Sequence, residues 1–425
     1  MRASIQLLAR SPGTRHGLVM AGATVIAGGF DYLVLVLAVS LLGPAESIVY
    51  LAVMALLQVM VHATNVIRNV VAYYTAELTV QPQATGRIGA FLQRGWRWAW
   101  RWGLIATAIM ALLSPLLTQW LRIDSLWPLL AGSLALLLLF LRPVTDGALQ
   151  GIQHFVGLGT VQVVQAFLRL VLTVTLIWLG LRSPGAIVSL PLASSGALLL
   201  ALWLLRPYFL GATDEVQAVS WRYSVYTLVG LLAFALLVNV DAVMVKRFFS
   251  DDVAGNYSPI ITLGKMNLFI PLGIGLVLFP KATQRQASGR DARPVLLLAL
   301  AVTLLPGLLL TFLYFLAPGF LVHTIFTDVY ADPGIVLGLV GLATTLFAGV
   351  NIWLNYALSL ALRPFIYALT AVVFFQIVAI LLFHDNFYQI ALILVAAGLA
   401  GNGAGVLTAL GQQPTVNSQQ STTNS

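Results

Sequence analysis

The stretch 157–205, GLGTVQVVQAFLRLVLTVTLIWLGLRSPGAIVSLPLASSGALLLALWLL, decides the fold because it is apolar on both sides of one short polar break. The break is LRSPG at 181–185, and the runs beside it cover 157–181 and 184–205. An α-helix needs roughly 20 mostly apolar residues to cross the hydrocarbon core of a bilayer. The stretch therefore predicts a hairpin of two membrane-spanning helices.

The same pattern recurs along the whole 425-residue chain, of which 60% is hydrophobic and 8% is charged, with a mean hydropathy of +0.94. Soluble domains have about 25% charged residues, so water is not the main solvent here. Cysteine is absent, which excludes disulfides, thiolate metal sites and a cysteine nucleophile. The predicted spans are 17–42, 47–74, 98–120, 126–150, 157–181, 184–205, 223–248, 253–280, 293–317, 334–361, 363–383 and 387–410.

The order of these spans predicts an all-α membrane protein of about 12 helices in two six-helix lobes. The N-terminal lobe covers 1–205, the polar connection 206–222 forms a cytoplasmic linker, and the C-terminal lobe covers 223–410. The last residues, 411–425, have too little apolar surface to offset the entropy of ordering. We therefore expect them to form a disordered tail.

The basic residues predict the orientation, because cytoplasmic loops accumulate Lys and Arg. With both termini in the cytoplasm, only Arg122, Arg182, Lys246 and Arg247 fall outside. The net charge of +8 therefore reflects topology and does not indicate nucleic-acid binding. The cations assigned to the cytoplasm are Arg2, Arg10, Arg15, Arg87, Arg94, Arg97, Arg101, Arg142, Arg206, Arg222, Lys281, Arg285, Arg290, Arg293 and Arg363.

An internal repeat is indicated by aligning residues 41–60 with residues 247–266. Each segment ends one helix, turns, and re-enters the membrane through an aromatic residue. The alignment pairs Tyr50 with Tyr257 and Gln58 with Lys265. Both hairpins run out and back, so the repeat would be parallel.

Two cations are predicted to lie near the middle of the membrane. Lys265 and Arg169 are thirteen and twelve residues into their spans, which corresponds to a depth of roughly 18 to 20 Å. Such residues are costly in lipid and usually face the interior of a bundle or an aqueous cavity. Arg68 is a further candidate, unless it reaches the inner surface along its own helix.

Polar side chains line one face of several predicted helices, because their spacing of three or four residues is helical. This pattern is typical of a hydrated path inside a bundle. The faces consist of Gln58, His62, Asn65 and Arg68; of Gln162, Gln165 and Arg169; and of Asn351 and Asn355.

Asp31 and Asp241 are the acids that balance some of this charge, and either is a candidate for coupling transport to an ion gradient. The alternative is that both form structural ion pairs, for example Asp31 with Arg68 and Asp241 with Lys246. The excess of cations favours an anionic ligand, with phosphate or pyrophosphate as the natural group. The segment PLGIGLVLFP (271–280) predicts a kink in the eighth helix.

Catalytic and cofactor motifs are absent from the sequence. There is no G-x-x-x-x-G-K-[ST] loop, which argues against ATP hydrolysis. There is no H-E-x-x-H, and the five histidines are widely spaced, which argues against a metal centre. We expect no bound cofactor, with coupling to H⁺ or Na⁺ as the open possibility.

Three segments carry a resemblance to the Wzx-type oligosaccharide flippases of the MATE-like MOP transporter superfamily: LLGPAESIVYLAVMALL (41–57), DGALQGIQHFVGLGTVQVVQAFLRLVLTVTLIWLGL (146–181), and NVDAVMVKRFFSDDVAGNYSPIITLGKM with PLGIGLVLFPKAT (239–283). The resemblance implies two lobes in a V around a central cationic cavity. It implies that Lys265 lines that cavity. Arg68, Arg169, Asp31 and Asp241 are candidates from their expected burial and not from a motif, and Gln58, His62 and Gln165 are candidates from the polar faces described above.

The function implied by this resemblance is translocation of a polyprenyl-pyrophosphate-linked oligosaccharide to the outer leaflet of the plasma membrane by alternating access, for cell-surface polysaccharide synthesis. Other membrane proteins of polysaccharide assembly would be its partners. Two other readings stay open. A cation-coupled multidrug antiporter of the same superfamily would need acids in the cavity. A membrane glycosyltransferase or polymerase would need a large outer loop, whereas the longest one, 318–333, is short.

Overall fold

The computed structural model describes residues 12–79, 81, 83–210, 222–268, 293–360 and 362–410, and these ranges contain helices and no strand. The helices are α1 (Pro12–Thr79), α2 (Ala84–Leu121), α3 (Trp127–Gly151), α4 (Phe155–Leu176), a π-helical segment (Ile177–Leu181), α5 (Arg182–Leu210), α6 (Arg222–Phe248), α7 (Asp251–Gly255), α8 (258–268), α9 (Arg293–Leu316), α10 (Pro318–Ile325), α11 (Ile335–Ser359), α12 (Arg363–Leu382) and α13 (Phe387–Leu410).

Nine helices in the described ranges are long and apolar enough to cross a membrane, which confirms the all-α membrane architecture. Two of them, Gly22–Thr79 and Phe155–Phe209, have 58 and 55 residues, enough for two crossings each. The second is interrupted at Gly180, which has a φ of 83°. Residues 258–268 begin one more crossing, whose predicted continuation through the 271–280 kink lies outside the described residues.

Helix α1 turns back on itself at Gly43, which has φ 72° and ψ 175° and is followed by Pro44. A side chain would strain this left-handed conformation, so glycine is required here. The guanidinium of Arg169 contacts both Asp31 and Tyr50. In a straight helix these two residues would be about 28 Å apart, so the two arms of α1 must run side by side.

Some boundaries differ from the predicted ones. The predicted linker 206–222 is helical up to Leu210, since α5 continues past Pro207. The rest of that linker, 211–221, and the predicted tail 411–425 lie outside the described residues. Helix α10 is an additional short helix in what was expected to be a loop, and the proline at its first turn is suited to starting a helix.

The helices pack mainly with partners from the same half of the chain. Helices α1, α3, α4 and α5 pack together, and α9, α11, α12 and α13 do the same. One apolar core joins the two halves and includes Tyr50, Tyr257 and Tyr330. A second core lies entirely within the first half, around Phe91 and Leu149. The division into two lobes and the cytoplasmic placement of the termini stay predictions.

The two halves of the chain contact each other at the end of the bundle that contains the turns 122–126, 249–257 and 326–334. We call it the outer end, because the positive-inside rule predicts that it faces away from the cytoplasm. The Ser47 hydroxyl donates to Ser258 at 2.9 Å, and the Tyr330 hydroxyl donates to the Val39 carbonyl at 2.6 Å. Lys246 donates to the Arg122 carbonyl at 2.8 Å. Burial raises the pKa of Tyr330 to about 12, so its hydroxyl keeps the proton that it donates.

Candidate substrate-binding column

Arg169 is the centre of the first polar cluster, in the first half of the chain. One guanidinium nitrogen contacts Asp31 at 3.1 Å, and the other donates to the Tyr50 hydroxyl at 3.3 Å. The Arg169 side chain is 10% exposed, whereas the Asp31 side chain is 44% exposed. The aspartate side of the pair is therefore accessible, while the arginine is buried.

A second cluster forms around Arg142 of α3. One nitrogen of Arg142 donates to Asp146 at 2.9 Å, and another donates to the Gln165 amide oxygen. Gln165 in turn donates to the Ser194 hydroxyl at 3.1 Å. Both Arg142 and Asp146 are buried, and their i,i+4 spacing on α3 lets them pair within one helix.

Close helix packing brings Arg68 beside this second cluster. A Cβ on Gly147 would lie 2.6 Å from the Arg68 carbonyl oxygen, and a Cβ on Gly151 would lie 2.7 Å from the Ala72 carbonyl oxygen. Two glycines four residues apart thus let α3 contact the backbone of α1, as in other membrane helix pairs. Arg68 is consequently next to Asp146 without forming an ion pair with any described residue.

The two clusters are continuous, because Gln165 and Arg169 lie one turn apart on the same face of α4. We call the set Asp31, Tyr50, Arg68, Arg142, Asp146, Gln165, Arg169 and Ser194 the polar column. It contains three arginines and two aspartates. The Nε atoms of all three arginines are buried without a hydrogen-bond partner among the described residues. Unused donors and one excess positive charge are what an anionic group requires.

The second half contains a smaller polar cluster. Lys265 of α8 donates to the Asn239 side chain at 3.1 Å, and the Tyr257 hydroxyl lies 3.5 Å from Asp241. One carboxylate oxygen of Asp241 is buried without a hydrogen-bond partner in the described ranges. Lys265 is half-buried. This cluster has one cation and one acid, so it carries no excess charge.

The two tyrosines that the predicted repeat aligns, Tyr50 and Tyr257, have similar surroundings in the two halves. Tyr50 lies beside Arg169 and Asp31, while Tyr257 lies beside Asp241 in the cluster that contains Lys265. In both halves the tyrosine is fully buried and the acid is on the first helix of a hairpin; Tyr50 lies in the second helix, and Tyr257 directly precedes it. This agreement supports the alignment of Tyr50 with Tyr257.

Other predicted site residues are outside these clusters. The His62 ring donates from Nδ1 to the Gln58 carbonyl at 2.8 Å, and it lies 6.2 Å from the Phe234 ring of the second half. The Gln58 side chain makes no hydrogen bond to the polar column among the described residues. Asn355 donates to Asn351 on its own helix. Their roles in binding stay predictions.

Arg142, which the predicted orientation places towards the cytoplasm, lies inside α3, and this helix continues past Pro143 to Gly151 and buries the arginine. The two ion pairs given as examples of the structural alternative do not form. Asp31 pairs with Arg169 and not with Arg68. Lys246 pairs with Asp251 at 2.5 Å and not with Asp241. Asp146 and Ser194 were not identified, although the Arg142–Asp146 spacing within a predicted span was a usable signal.

A cavity of about 300 Å³ lies at the outer end, bordered by the turns near 45, 124 and 182. Three acids line it, Glu46, Asp124 and Asp251. Glu46 accepts hydrogen bonds from the backbone and hydroxyl groups of Ser183 and lies 3.7 Å from Arg182. The Arg182 charge is thus already balanced by a carboxylate. This cavity is consequently a less favourable site for an anion than the polar column, which has an excess positive charge.

No protein-family model and no curated protein sequence matches the chain. Solved structures match nearly its whole length. A eukaryotic MATE transporter, AtDTX14, has a TM-score of 0.68 at 12% identity, covering 94% of this chain and 96% of that one.

Two further structures match in the same way. An inward-facing multidrug resistance MATE family transporter of the MOP superfamily has a TM-score of 0.68 at 11% identity, covering 93% of this chain and 96% of that one. A MOP superfamily transporter from Pyrococcus furiosus, described as having a binding pocket of reverse polarity, has a TM-score of 0.61 at 13% identity, covering 96% and 98%. The chain therefore has the fold of the MATE transporters of the MOP superfamily.

Proposed function

We propose that this protein is a membrane transporter for an anionic, phosphate-bearing substrate, and that it flips a polyprenyl-pyrophosphate-linked oligosaccharide across the plasma membrane for polysaccharide assembly. The observation that carries the proposal is the polar column, whose three arginines outnumber its two aspartates. A pyrophosphate group would accept hydrogen bonds from the free guanidinium nitrogens and balance the excess charge. The lipid tail would stay in the bilayer.

Alternating access is the mechanism that the fold supports. The described contacts between the halves lie at the outer end and midway along the bundle, as expected if substrate enters from the inner end. Opening requires the Ser47–Ser258, Tyr330–Val39 and Lys246–Arg122 contacts to break. Substrate binding would bias the equilibrium through its different affinity for the two states.

The test is a flipping assay in proteoliposomes that contain a labelled polyprenyl-pyrophosphate oligosaccharide. Arg68→Gln is the most informative variant, because Arg68 forms no ion pair with a carboxylate in the described ranges, and its removal leaves Asp146 paired with Arg142. Arg182→Gln is the matched control, since that arginine is 75% exposed at the outer end. We expect Arg68→Gln to lose most flipping at normal protein levels and the control to keep it. Wild-type flipping by Arg68→Gln would argue against the proposal.

A cellular measurement tests the substrate separately. Cells that lack the protein should accumulate lipid-linked oligosaccharide in the inner leaflet, and the wild-type gene should reverse this. If export continued at the normal rate without the protein, the oligosaccharide would be excluded as its substrate. The proteoliposome assay could then still test other phosphate-bearing lipids.

A cation-coupled multidrug antiporter is the second candidate. The exposed carboxylate of Asp31 and the unpartnered oxygen of Asp241 favour it, because such proteins need acids that can bind a proton or Na⁺. Such an antiporter would export a cationic dye in response to a H⁺ or Na⁺ gradient. This export would be lost in Asp31→Asn and kept in Arg68→Gln. A glycosyltransferase or polymerase is the least favoured function, since the fold is that of transporters.

A further inference from the structure

One exposed face of α2 changes from arginine to aliphatic residues along its length. Arg94, Arg97 and Arg101 are all exposed, and their spacing of three and seven residues keeps them within about 60° of arc. The same face continues through Ile105 and Leu112, which are 45% and 80% exposed. Such a change on one helix face is expected where lipid headgroups meet acyl chains.

Exposed tryptophans indicate the depth of this boundary. Trp102 and Trp120 are 49% and 40% exposed, and the exposed residues on that face from Ile105 to Leu116 are apolar. Eighteen helical residues correspond to about 27 Å, close to the roughly 30 Å hydrocarbon thickness. Tryptophan is enriched at both membrane interfaces. The three arginines therefore lie just beyond the hydrocarbon, at the level of the lipid phosphates.

Helix α5 adds a fourth arginine to this surface. Gln93 of α2 donates to the Phe209 carbonyl at 3.1 Å, and the Trp96 and Phe209 rings are 6.4 Å apart. Arg206 lies one turn before Phe209 and is exposed, with its guanidinium 5.6 Å from the ring of Trp203. We call Arg94, Arg97, Arg101 and Arg206 the arginine face.

The arginine face has no acidic counterpart in the described ranges. Helix α2 contains no Asp or Glu, and none of the four arginines pairs with a described carboxylate. The exposed Arg182 at the outer end differs, since it lies 3.7 Å from Glu46. Scattered cations would suffice to orient the protein, but here four are concentrated beside a lipid-facing apolar strip.

We propose that the arginine face binds the phosphates of anionic phospholipids in the adjacent leaflet, with their acyl chains along the strip from Ile105 to Leu116. The positive-inside rule makes this the cytoplasmic leaflet. A cation near an anionic lipid surface contributes about 1 kcal/mol, or roughly a fivefold change in affinity. This site is distinct from the polar column, and it is independent of what the protein transports.

The experiment measures phosphatidylglycerol bound to the purified full-length protein in neutral detergent, by native mass spectrometry and by thermal stabilisation. Phosphatidylcholine is the uncharged comparison. The test variant is Arg94→Gln with Arg97→Gln and Arg101→Gln. The matched control is Arg122→Gln, which removes a cation at the other end of α2. A variant with lysine at positions 94, 97 and 101 keeps the three positive charges. It shows whether replacing the arginine side chains disturbs folding when the charge is unchanged.

We expect the wild type, the control and the lysine variant to bind phosphatidylglycerol, and the glutamine variant to bind it about a hundredfold more weakly. If the glutamine variant does not fold, Arg97→Gln alone should weaken binding about fivefold. Equal binding by the glutamine variant and the wild type would overturn the proposal. Stabilisation by inorganic phosphate equal to that by the lipid would also overturn it, because the site would then bind a soluble anion.

Discussion

Replacing Gly255 with alanine should open the outer end of the bundle. Gly255 of α7 lies against Pro44, and a Cβ at Gly255 would be 2.4 Å from both the carbonyl carbon and the Cβ of Pro44. Because these two residues belong to different halves, the clash exists only while the outer end is closed. Overpacking of this kind costs about 1 to 3 kcal/mol. An outward-open state would therefore gain about 5- to 150-fold in relative population.

The absence of cysteine makes this shift measurable with one introduced thiol. Val39 is fully buried at the outer end, so Val39→Cys should react slowly with a membrane-impermeant maleimide added outside. Adding Gly255→Ala should raise that rate several-fold. Gly403→Ala is the matched control, because no heavy atom lies within 4 Å of a Cβ at that position. An unchanged labelling rate in the Gly255→Ala background would refute the closed outer end.

Three further predictions concern the polar column and the helix packing beside it. Arg142→Gln should lower stability by about 3 to 5 kcal/mol because the buried Asp146 loses its ion-pair partner, and adding Asp146→Asn should recover much of it, as measured by thermal unfolding in detergent. Gly147→Ala should cost about 1 to 3 kcal/mol in the same assay, with Gly403→Ala near neutral; equal melting temperatures would contradict the close packing of α3 on α1. Asp31→Asn should retain substrate binding but uncouple transport from a H⁺ or Na⁺ gradient, and gradient-driven uptake at the wild-type rate would exclude Asp31 from coupling.

The helical architecture could be predicted from composition and the length of apolar runs alone. A run such as 157–205 has few alternatives, because backbone groups in lipid must form their hydrogen bonds within a helix. Turn positions near 43 and 181 were also predictable, since Gly43, Pro44 and Gly180 are residues that helices do not favour in their interior. Orientation needs a membrane and therefore stays a prediction.

The partners of the buried charges could not be predicted. Periodicity places Gln165 and Arg169 on one face of a helix, but it does not determine which distant residue faces them. Asp31 is 138 residues from Arg169 in sequence, and only the fold-back of α1 at Gly43 and the packing of α4 bring the two together. Arg142 lies within the predicted span 126–150, but the sequence does not show that it contacts Asp146 and Gln165.

The fold by itself does not determine the substrate, because one scaffold can hold sites of different polarity. The charge of the polar column is more informative. A guanidinium without a carboxylate partner is costly inside a membrane, and the cost falls when an anion approaches its donors. Arg142 and Arg169 already have aspartates, whereas Arg68 has none among the described residues. A mobile anion that occupied this position would satisfy Arg68 and then leave, which a fixed aspartate could not do. That difference is why, in the proposed function, Arg68 is the arginine whose loss should affect transport most, while Arg142 and Arg169 add their free Nε donors to the same site.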